Sequence, residues 1–176
     1  MTTSRAQAEQ LRHNDESLKD FKCAVVILSD RASRKEYEDK AGPVALACLA
    51  AMGAEAMPAA QVIPDDADSL ARALRKLQMQ GIQLVITSGG TGIGPRDITP
   101  ETLRKVGDKV VDGIGELVRA AGAHYTPTSY LSRSVAVTMG QMLIVALPGN
   151  PNAVRESLEA LQEILPHALA TLLKGA

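Results

Sequence analysis

Aromatic residues are almost absent from this chain, which has no Trp, one Phe and three Tyr in 176 residues: Phe21, Tyr37, Tyr125 and Tyr130. Grooves for single-stranded nucleic acid combine interleaved aromatic platforms with a basic balance. Here the platforms are missing and the formal charge is −1, which argues against a nucleic-acid partner. Only two cysteines occur, Cys23 and Cys48, too few for a disulfide framework and without metal-ligand spacing. They read as small core residues, as free Cys commonly is. His13, His124 and His167 lie far apart with nothing beside them to complete a metal site, and read as surface or structural residues. The opening MTTSRAQAEQLRHNDESLKD mixes both signs of charge and lacks the apolar run of a secretory leader. No stretch approaches the roughly 20 apolar residues of a membrane span, the uncharged Ala41–Ala54 segment being broken by Gly42, Pro43 and Gly53. The expected location is therefore the cytoplasm, with no membrane partner.

What is present is a core of aliphatic side chains. The sequence is 45% hydrophobic and 22% charged, ordinary for one globular domain of this length. The expected organisation is a polar extension over residues 1–20 and a single domain over 21–176. Cys23–Leu28 is a continuous apolar run with β-branched residues at its centre, the pattern of a strand covered on both faces. Val44–Met52 reads as a helix and Ala59–Ile63 as a weaker strand closed by Pro64. Asp66–Gln80 carries Leu70, Ala73, Leu74 and Leu77 at helical spacing, with Gly81 as the stop. Leu84–Thr87 is a second buried strand and runs into SGGTGIGPRD. Thr99 is a candidate cap with Pro100 at the first helical position, and Gly115–Ala121 a further helix. Val135–Thr138 and Met142–Leu147 read as strands. Asn150 caps one long final helix with Val154, Leu158, Leu161 and Leu165 on a face. Strands alternating with helices predict an α/β fold with a mostly parallel sheet.

In such sheets ligands collect at the carboxyl ends of the strands. The loops expected there are Ser29–Ser33, Pro64–Asp66, Ser88–Asp97 and Pro148–Asn152. In the glycine-rich loop, Gly89, Gly90 and Gly92 let backbone N–H groups approach an anion closely. A phosphate suits them, with Arg96 as a fork-shaped donor. The glycine spacing fits neither the dinucleotide fingerprint nor the P-loop, whose Gly-Lys-Ser/Thr step is absent. Asp66 reads as a helix cap. Asp65 and Asp97 are placed for function, because carboxylates beside a phosphate cradle repel the phosphate unless a divalent cation lies between them. That combination points to phosphoryl or nucleotidyl transfer, where positioning and charge neutralisation supply most of the catalysis. Read alone, Ser29–Asp30–Arg31 is also compatible with a simple turn, Ser132 and Arg133 with a solvent-facing segment, and Arg34–Lys35–Glu36 with a solvated loop face.

Taken together, Ser29–Asp30–Arg31–Ala32–Ser33, Tyr37–Glu38–Asp39–Lys40, Ile63–Pro64–Asp65, TSGGTGIGPRDITPE over Thr87–Glu101, Leu131–Ser132–Arg133 and LPGNPNAV over Leu147–Val154 resemble the molybdopterin adenylyltransferase family, also called MogA/MoaB and including the G domain of gephyrin-type proteins. The resemblance runs from Cys23 to about Leu173, and the Pro95–Glu101 string resembles the MogA branch more than the MoaB branch. Arg34–Lys35–Glu36–Tyr37 departs from the small pair common in the family at that point. The resemblance implies a three-layer α/β/α fold, a homotrimer, and adenylyl transfer from ATP with Mg²⁺ to molybdopterin, giving adenylyl-molybdopterin and pyrophosphate. The product would be handed to a molybdate insertase. By motif, Asp65 and Asp97 would be catalytic, with Asp65 holding Mg²⁺. Ser88, Gly89, Gly90, Thr91, Gly92 and Arg96 would bind nucleotide and pterin phosphates. Ser29, Asp30, Arg31, Ser132, Pro148, Gly149 and Asn150 would line the substrate pocket. The alternatives that resemblance carries are a MoaB-type molybdopterin-binding protein or a trimeric scaffold module with little or no transferase activity. The scarcity of aromatics adds an expectation that adenine and pterin lie against backbone amides, small side chains and aliphatic walls.

Overall fold

The computed structural model of the protein describes residues 17–56 and 58–174. Its strands are β1 (Lys22–Leu28), β2 (Glu55–Ala56), β3 (Gln61–Ile63), β4 (Leu84–Ser88), β5 (Lys109–Val110), β6 (Ala136–Met139) and β7 (Met142–Leu147). They form one sheet in the order β2-β1-β4-β7-β6-β5, with β3 also pairing β1. Pairings of β1 with β2, β3 and β4, and of β4 with β7, are parallel. β6 and β5 continue the sheet antiparallel beyond β7.

The helices are α1 (Asp30–Ser33), α2 (Ala41–Ala51), α3 (Ala67–Met79), α4 (Thr99–Val106), α5 (Asp112–Ala123), α6 (Pro151–Leu161) and α7 (Ile164–Leu173), with a 3₁₀ turn at Pro127–Leu131. Strand parity assigns them to layers. Cys23, Val25 and Ile27 of β1, Leu84 and Ile86 of β4, and Leu143, Val145 and Leu147 of β7 meet α2, α5, α6 and α7 on one face. The alternate residues, Ala24, Val26, Leu28, Val85, Ile144 and Ala146, meet α3 and α4 on the other. Period-two alternation of a fully apolar strand thus serves two cores at once, and the result is the expected three-layer α/β/α arrangement.

Several local expectations change. Leu18, assigned by its polar surroundings to the 1–20 extension, is fully buried, and its N–H donates to the Met52 carbonyl at 2.8 Å, so the packed chain reaches back at least that far. The rest of that extension, His13 included, lies outside the described residues. Helix α2 starts three residues earlier than expected, taking Gly42 and Pro43 into its first turn. Pro is tolerated there because that N–H has no intrahelical partner in any case, and the Asp39 carboxylate accepts from the N–H groups of Ala41 (2.9 Å) and Gly42 (3.1 Å). The single long C-terminal helix is two helices broken at Gln162–Glu163. Pro166 has no N–H to continue the ladder, and its ring would meet the carbonyl four residues back. Thr99 is not a cap: Ile98 holds that position, and the buried Thr99 hydroxyl donates to the Gly89 carbonyl at 2.9 Å. Asp66 is the cap of α3, accepting from Ser69 N–H at 2.8 Å.

Cys23 is fully buried and burial pushes its thiol up to about 12, whereas Cys48 is only half-buried. A pKa near 12 leaves on the order of one thiolate in 10⁴ at pH 8. Ellman's reagent is therefore expected to titrate one thiol in the folded protein, Cys48, with Cys23 reacting only as the chain unfolds. Prompt reaction of both would show that the β1 core opens readily.

Candidate functional site

The parallel strands β1, β3, β4 and β7 end at the same edge of the sheet. From β1 the chain crosses to β2 and β3 on one side, then returns past β1 to β4 on the other, with α2 and α3 packed on opposite faces. That reversal opens a crevice at the carboxyl ends of β1 and β4, and the loops expected to carry chemistry meet there.

Two carboxylates clasp the first pair of loops. The Asp30 N–H donates to Asp65 Oδ2 at 3.0 Å, and the Asp65 N–H donates to Asp30 Oδ1 at 3.0 Å. Asp30 can take this role because Ser29 caps α1, accepting from Ala32 N–H at 3.2 Å. The second Asp30 oxygen pairs with the Arg96 guanidinium. Arg96, expected to face a phosphate, is thus spent on a half-buried carboxylate that needs a counter-charge. Burial raises the Asp65 carboxyl above its ordinary pKa, and the negative charge of Asp97 raises it further. Asp65 and Asp97 therefore feel each other across the crevice.

Asp97 is seated inside the glycine loop. Its Oδ2 accepts from Gly94 N–H at 2.8 Å, and its own N–H donates to the Gly94 carbonyl at 3.1 Å. A Cβ at Gly92 or Gly94 would approach that oxygen to 2.7 or 2.9 Å, so the seat exists only with glycine at both. At the start of the loop, Gly89 has φ +106° and packs directly on the Leu28 carbonyl. Its N–H donates to Leu147 O at 3.1 Å. This corrects one expectation: the Gly89 amide extends the sheet and is not a donor to an anion. Likewise the Ser88 hydroxyl donates to the Pro148 carbonyl at 2.9 Å, tying β4 to the last loop. Thr91 is buried beside Ser132, whose hydroxyl lies 3.5 Å from Thr91 Oγ1.

A small cavity of about 200 Å³ lies between the ends of β1, β4 and β7, with Ser29, Tyr37, Asp39, Lys40, Ser88 and Gly149 in its lining. It brings together Ser29 and Gly149 from the expected pocket walls with Ser88 from the expected phosphate-binding loop. Asp30, Arg31, Ser132, Pro148 and Asn150 are not in its lining. Arg31 lies over the Tyr37 ring, its guanidinium 5.3 Å from the centroid, within cation–π range. Asn150 caps α6 through Asn152 N–H at 2.9 Å. Tyr37 is the one ring in a lining otherwise of small, polar and aliphatic groups, and only its place in a motif-like segment could have announced it. Two larger hollows lie elsewhere, one of about 540 Å³ between α3 and α4 and one of about 450 Å³ between α2 and the α6–α7 junction, and Asp65 and Asp97 line none of the three.

Among the described residues no three His, Cys, Asp or Glu side chains converge as a closed metal cage. Asp65 and Asp97, near enough for the charge of one to act on the other, instead suit a hard divalent cation that completes its shell with water and substrate phosphates. No helix among the described residues is long and apolar enough to cross a membrane.

Comparison with known proteins gives a consistent set of relatives. The family described as "Probable molybdopterin binding domain" matches residues 24–167. A molybdopterin adenylyltransferase of Haemophilus influenzae is 38% identical over 145 residues, covering 81% of this chain and 74% of the relative. A molybdenum cofactor biosynthesis bifunctional protein of Synechococcus elongatus is 39% identical over 152 residues, covering 86% of this chain, which spans only 47% of that relative's length. Among solved structures, that of a MogA superposes with a TM-score of 0.82 at 38% identity, covering 86% of this chain and 99% of the other.

Proposed function

The chain belongs to the molybdopterin-binding domain family, and from that premise we propose that it is a molybdopterin adenylyltransferase of molybdenum cofactor biosynthesis. The observation that carries the reading is the neighbouring pair Asp65 and Asp97, one clasped to the β1 loop and the other seated in the glycine loop, with the charge of Asp97 acting on Asp65. A half-buried carboxylate whose proton affinity is raised by burial and by a second carboxylate, beside a small-residue loop, is relieved by a cation and a phosphate-bearing substrate.

In the reaction, a terminal phosphate oxygen of molybdopterin attacks the α-phosphorus of ATP. A phosphoanhydride bond forms to AMP and the bond to the β-phosphate breaks, releasing pyrophosphate. Asp65, with Asp97 nearby, would hold Mg²⁺, which when bound would neutralise charge on the ATP phosphates. The chain's own contribution is positioning. Asp65 is fixed by the Asp30 N–H, Asp97 by the Gly94 N–H, and the loops around Gly90 and Thr91 offer backbone donors close to developing charge. Arg96 lies on the same edge, and exchanging Asp30 for a substrate phosphate would bring its fork to the triphosphate. Ser29, Ser88 and Gly149 supply small walls for the pterin or adenine, with Tyr37 at one side. The protein would act in the cytoplasm as a homotrimer and pass its product to a molybdate insertase.

Incubation with molybdopterin, ATP and Mg²⁺ is expected to release pyrophosphate and yield adenylyl-molybdopterin. Tight molybdopterin binding with no pyrophosphate would replace this reading with that of a binding or scaffold module.

A further inference from the structure

Arg133 stands outside the carboxylate pair yet holds the loop that carries half of it. Its Nε donates to the Gly92 carbonyl at 2.7 Å, its Nη2 donates to the Asp97 carbonyl at 2.8 Å, and its Nη1 pairs with Glu101 in the first turn of α4. Its backbone N–H donates to the Thr91 carbonyl at 2.8 Å. One guanidinium therefore grips both ends of the Gly92–Asp97 loop and the helix that follows. The segment it comes from is itself braced, since Arg119 of α5 donates to the Ser134 carbonyl at 2.9 Å and to the Ser132 carbonyl at 3.4 Å.

The bonds inside the loop have a different effect. Gly94 N–H to Asp97 Oδ2, and Asp97 N–H to the Gly94 carbonyl, fix the carboxylate relative to the loop but do not tie the loop to the rest of the chain, so without an outside anchor they open more often. Thr99 anchors the Gly89–Gly90 side through its hydroxyl and N–H. Arg133 supplies the corresponding anchor at Gly92 and Asp97. Burial works to raise the Glu101 carboxyl, but the hydrogen bond and charge of Arg133, with a backbone hydrogen bond and the charge of Arg104, hold the group below its ordinary value. Lysine could not replace this grip, because an ammonium is a point donor and cannot serve three acceptors spread across a planar fork.

We infer that Arg133 is a positioning residue that anchors the Gly92–Asp97 loop and so fixes where the Asp97 carboxylate sits in the crevice. It acts through Asp97 and touches no reacting atom. The effect on rate rests on the adenylyl-transfer reading; the effect on the loop does not.

The test is made on the full chain with Arg133→Gln, Arg133→Lys, Asp97→Asn and the Arg133→Gln/Asp97→Asn double variant. Misplacement of a catalytic group by about 1 Å can cost roughly 10²-fold, so Arg133→Gln is expected to lower kcat for pyrophosphate release by about that factor while KM for molybdopterin moves less than about 3-fold. In the Asp97→Asn background the same change is expected to cost no more than about 2-fold, since groups acting as one unit are non-additive. Full additivity of the two losses would overturn the inference. Independently of activity, hydrogen exchange at the Gly94 and Asp97 amides, whose bonds close the loop, is expected to quicken at least about 10-fold in Arg133→Gln, while β4 and β7 keep their protection. Unchanged exchange in the loop would overturn the inference even if the wild-type protein released no pyrophosphate, an outcome that would refute only the functional reading. Should Arg133→Gln fail to fold, Arg133→Lys decides: loop exchange and kcat at wild-type values would end the proposal, and a loosened loop with the strands intact would support it.

Discussion

Replacing Asp65 with Asn is expected to lower adenylyl transfer by at least roughly 10²–10³-fold, the scale on which a preorganised electrostatic group is lost, while molybdopterin still binds. The asparagine keeps a carbonyl oxygen where Asp65 accepts the Asp30 N–H, so the clasp between the loops has the means to survive and the loss falls on charge. The same substitution is expected to stabilise the fold at neutral pH. Burial first, then Asp97, raises the carboxyl above its ordinary 3.8. A group whose folded pKa exceeds its unfolded one favours the folded state when protonated, so its contribution declines as pH rises from about 3.8 through the raised value. At pH 7 the ionised Asp65 is therefore a cost that Asn removes. Tm of Asp65→Asn should exceed that of the wild type at pH 7, and the gap should close on acidification to about pH 4 and below. Asp66→Ala is the control one residue away: the exposed cap of α3 is lost, Tm falls slightly, and turnover is retained. An active Asp65→Asn enzyme would remove Asp65 from the chemistry, and a lower Tm at pH 7 would show that the Asp30 clasp outweighs the repulsion.

The contrast between Asp65 and Asp66 shows what the sequence could carry. Layering and strand parity were legible because Cys23–Leu28 and Met142–Leu147 are apolar at every position, which only a sheet covered on both faces explains. The cap role of Asp66 was legible from local chemistry, since a side chain reaching its own first turn needs nothing distant. Loop partners were not legible in the same way. Arg96 bonds a residue 66 positions earlier in the chain, and Arg133 grips Gly92 and Asp97 from 41 and 36 positions away. No local pattern encodes such separations. Arg133, read alone, was therefore compatible with a solvent-facing segment and carried no assigned role, although it is one of the most engaged side chains at the site. Thr99 failed as a cap for a related reason: its hydroxyl had a tertiary acceptor in Gly89, and the nearby motif sequence gave no sign of it. The glycine run itself was legible as a close-approach loop, but not which neighbour it approaches.

That neighbour sets the second large effect. Gly89→Ala is expected to destabilise the protein severely and to abolish activity in whatever fraction stays folded. At φ +106° a side chain is strained by about 1–3 kcal/mol wherever it occurs. Here the new Cβ would also be driven into the Leu28 carbonyl, with the Leu28 carbon atoms immediately behind. That carbonyl is backbone at the end of β1 and cannot rotate away, so β1 and β4 must separate where Ser29, Asp30 and Ser88 are held. Gly149 packs on Gly89 from the other side, the Gly89 Cα lying 3.4 Å from the position of a Gly149 Cβ, so the loop has little room to retreat toward β7. Gly81 isolates the two contributions. It has φ +73° at the end of α3 with nothing within 4 Å of its Cβ position, so Gly81→Ala carries the backbone strain without the collision. Urea denaturation of both variants should place Gly81→Ala about 1–2 kcal/mol below the wild type, in the range for an L-residue forced into the left-handed region. Gly89→Ala should fall at least about 2 kcal/mol lower still, as overpacking against rigid neighbours typically costs 1–3 kcal/mol. Equal losses for the two would mean that β1 and β4 yield easily at their carboxyl ends, and that the crevice is held together by its side-chain clasps instead of by the close backbone contact at Gly89.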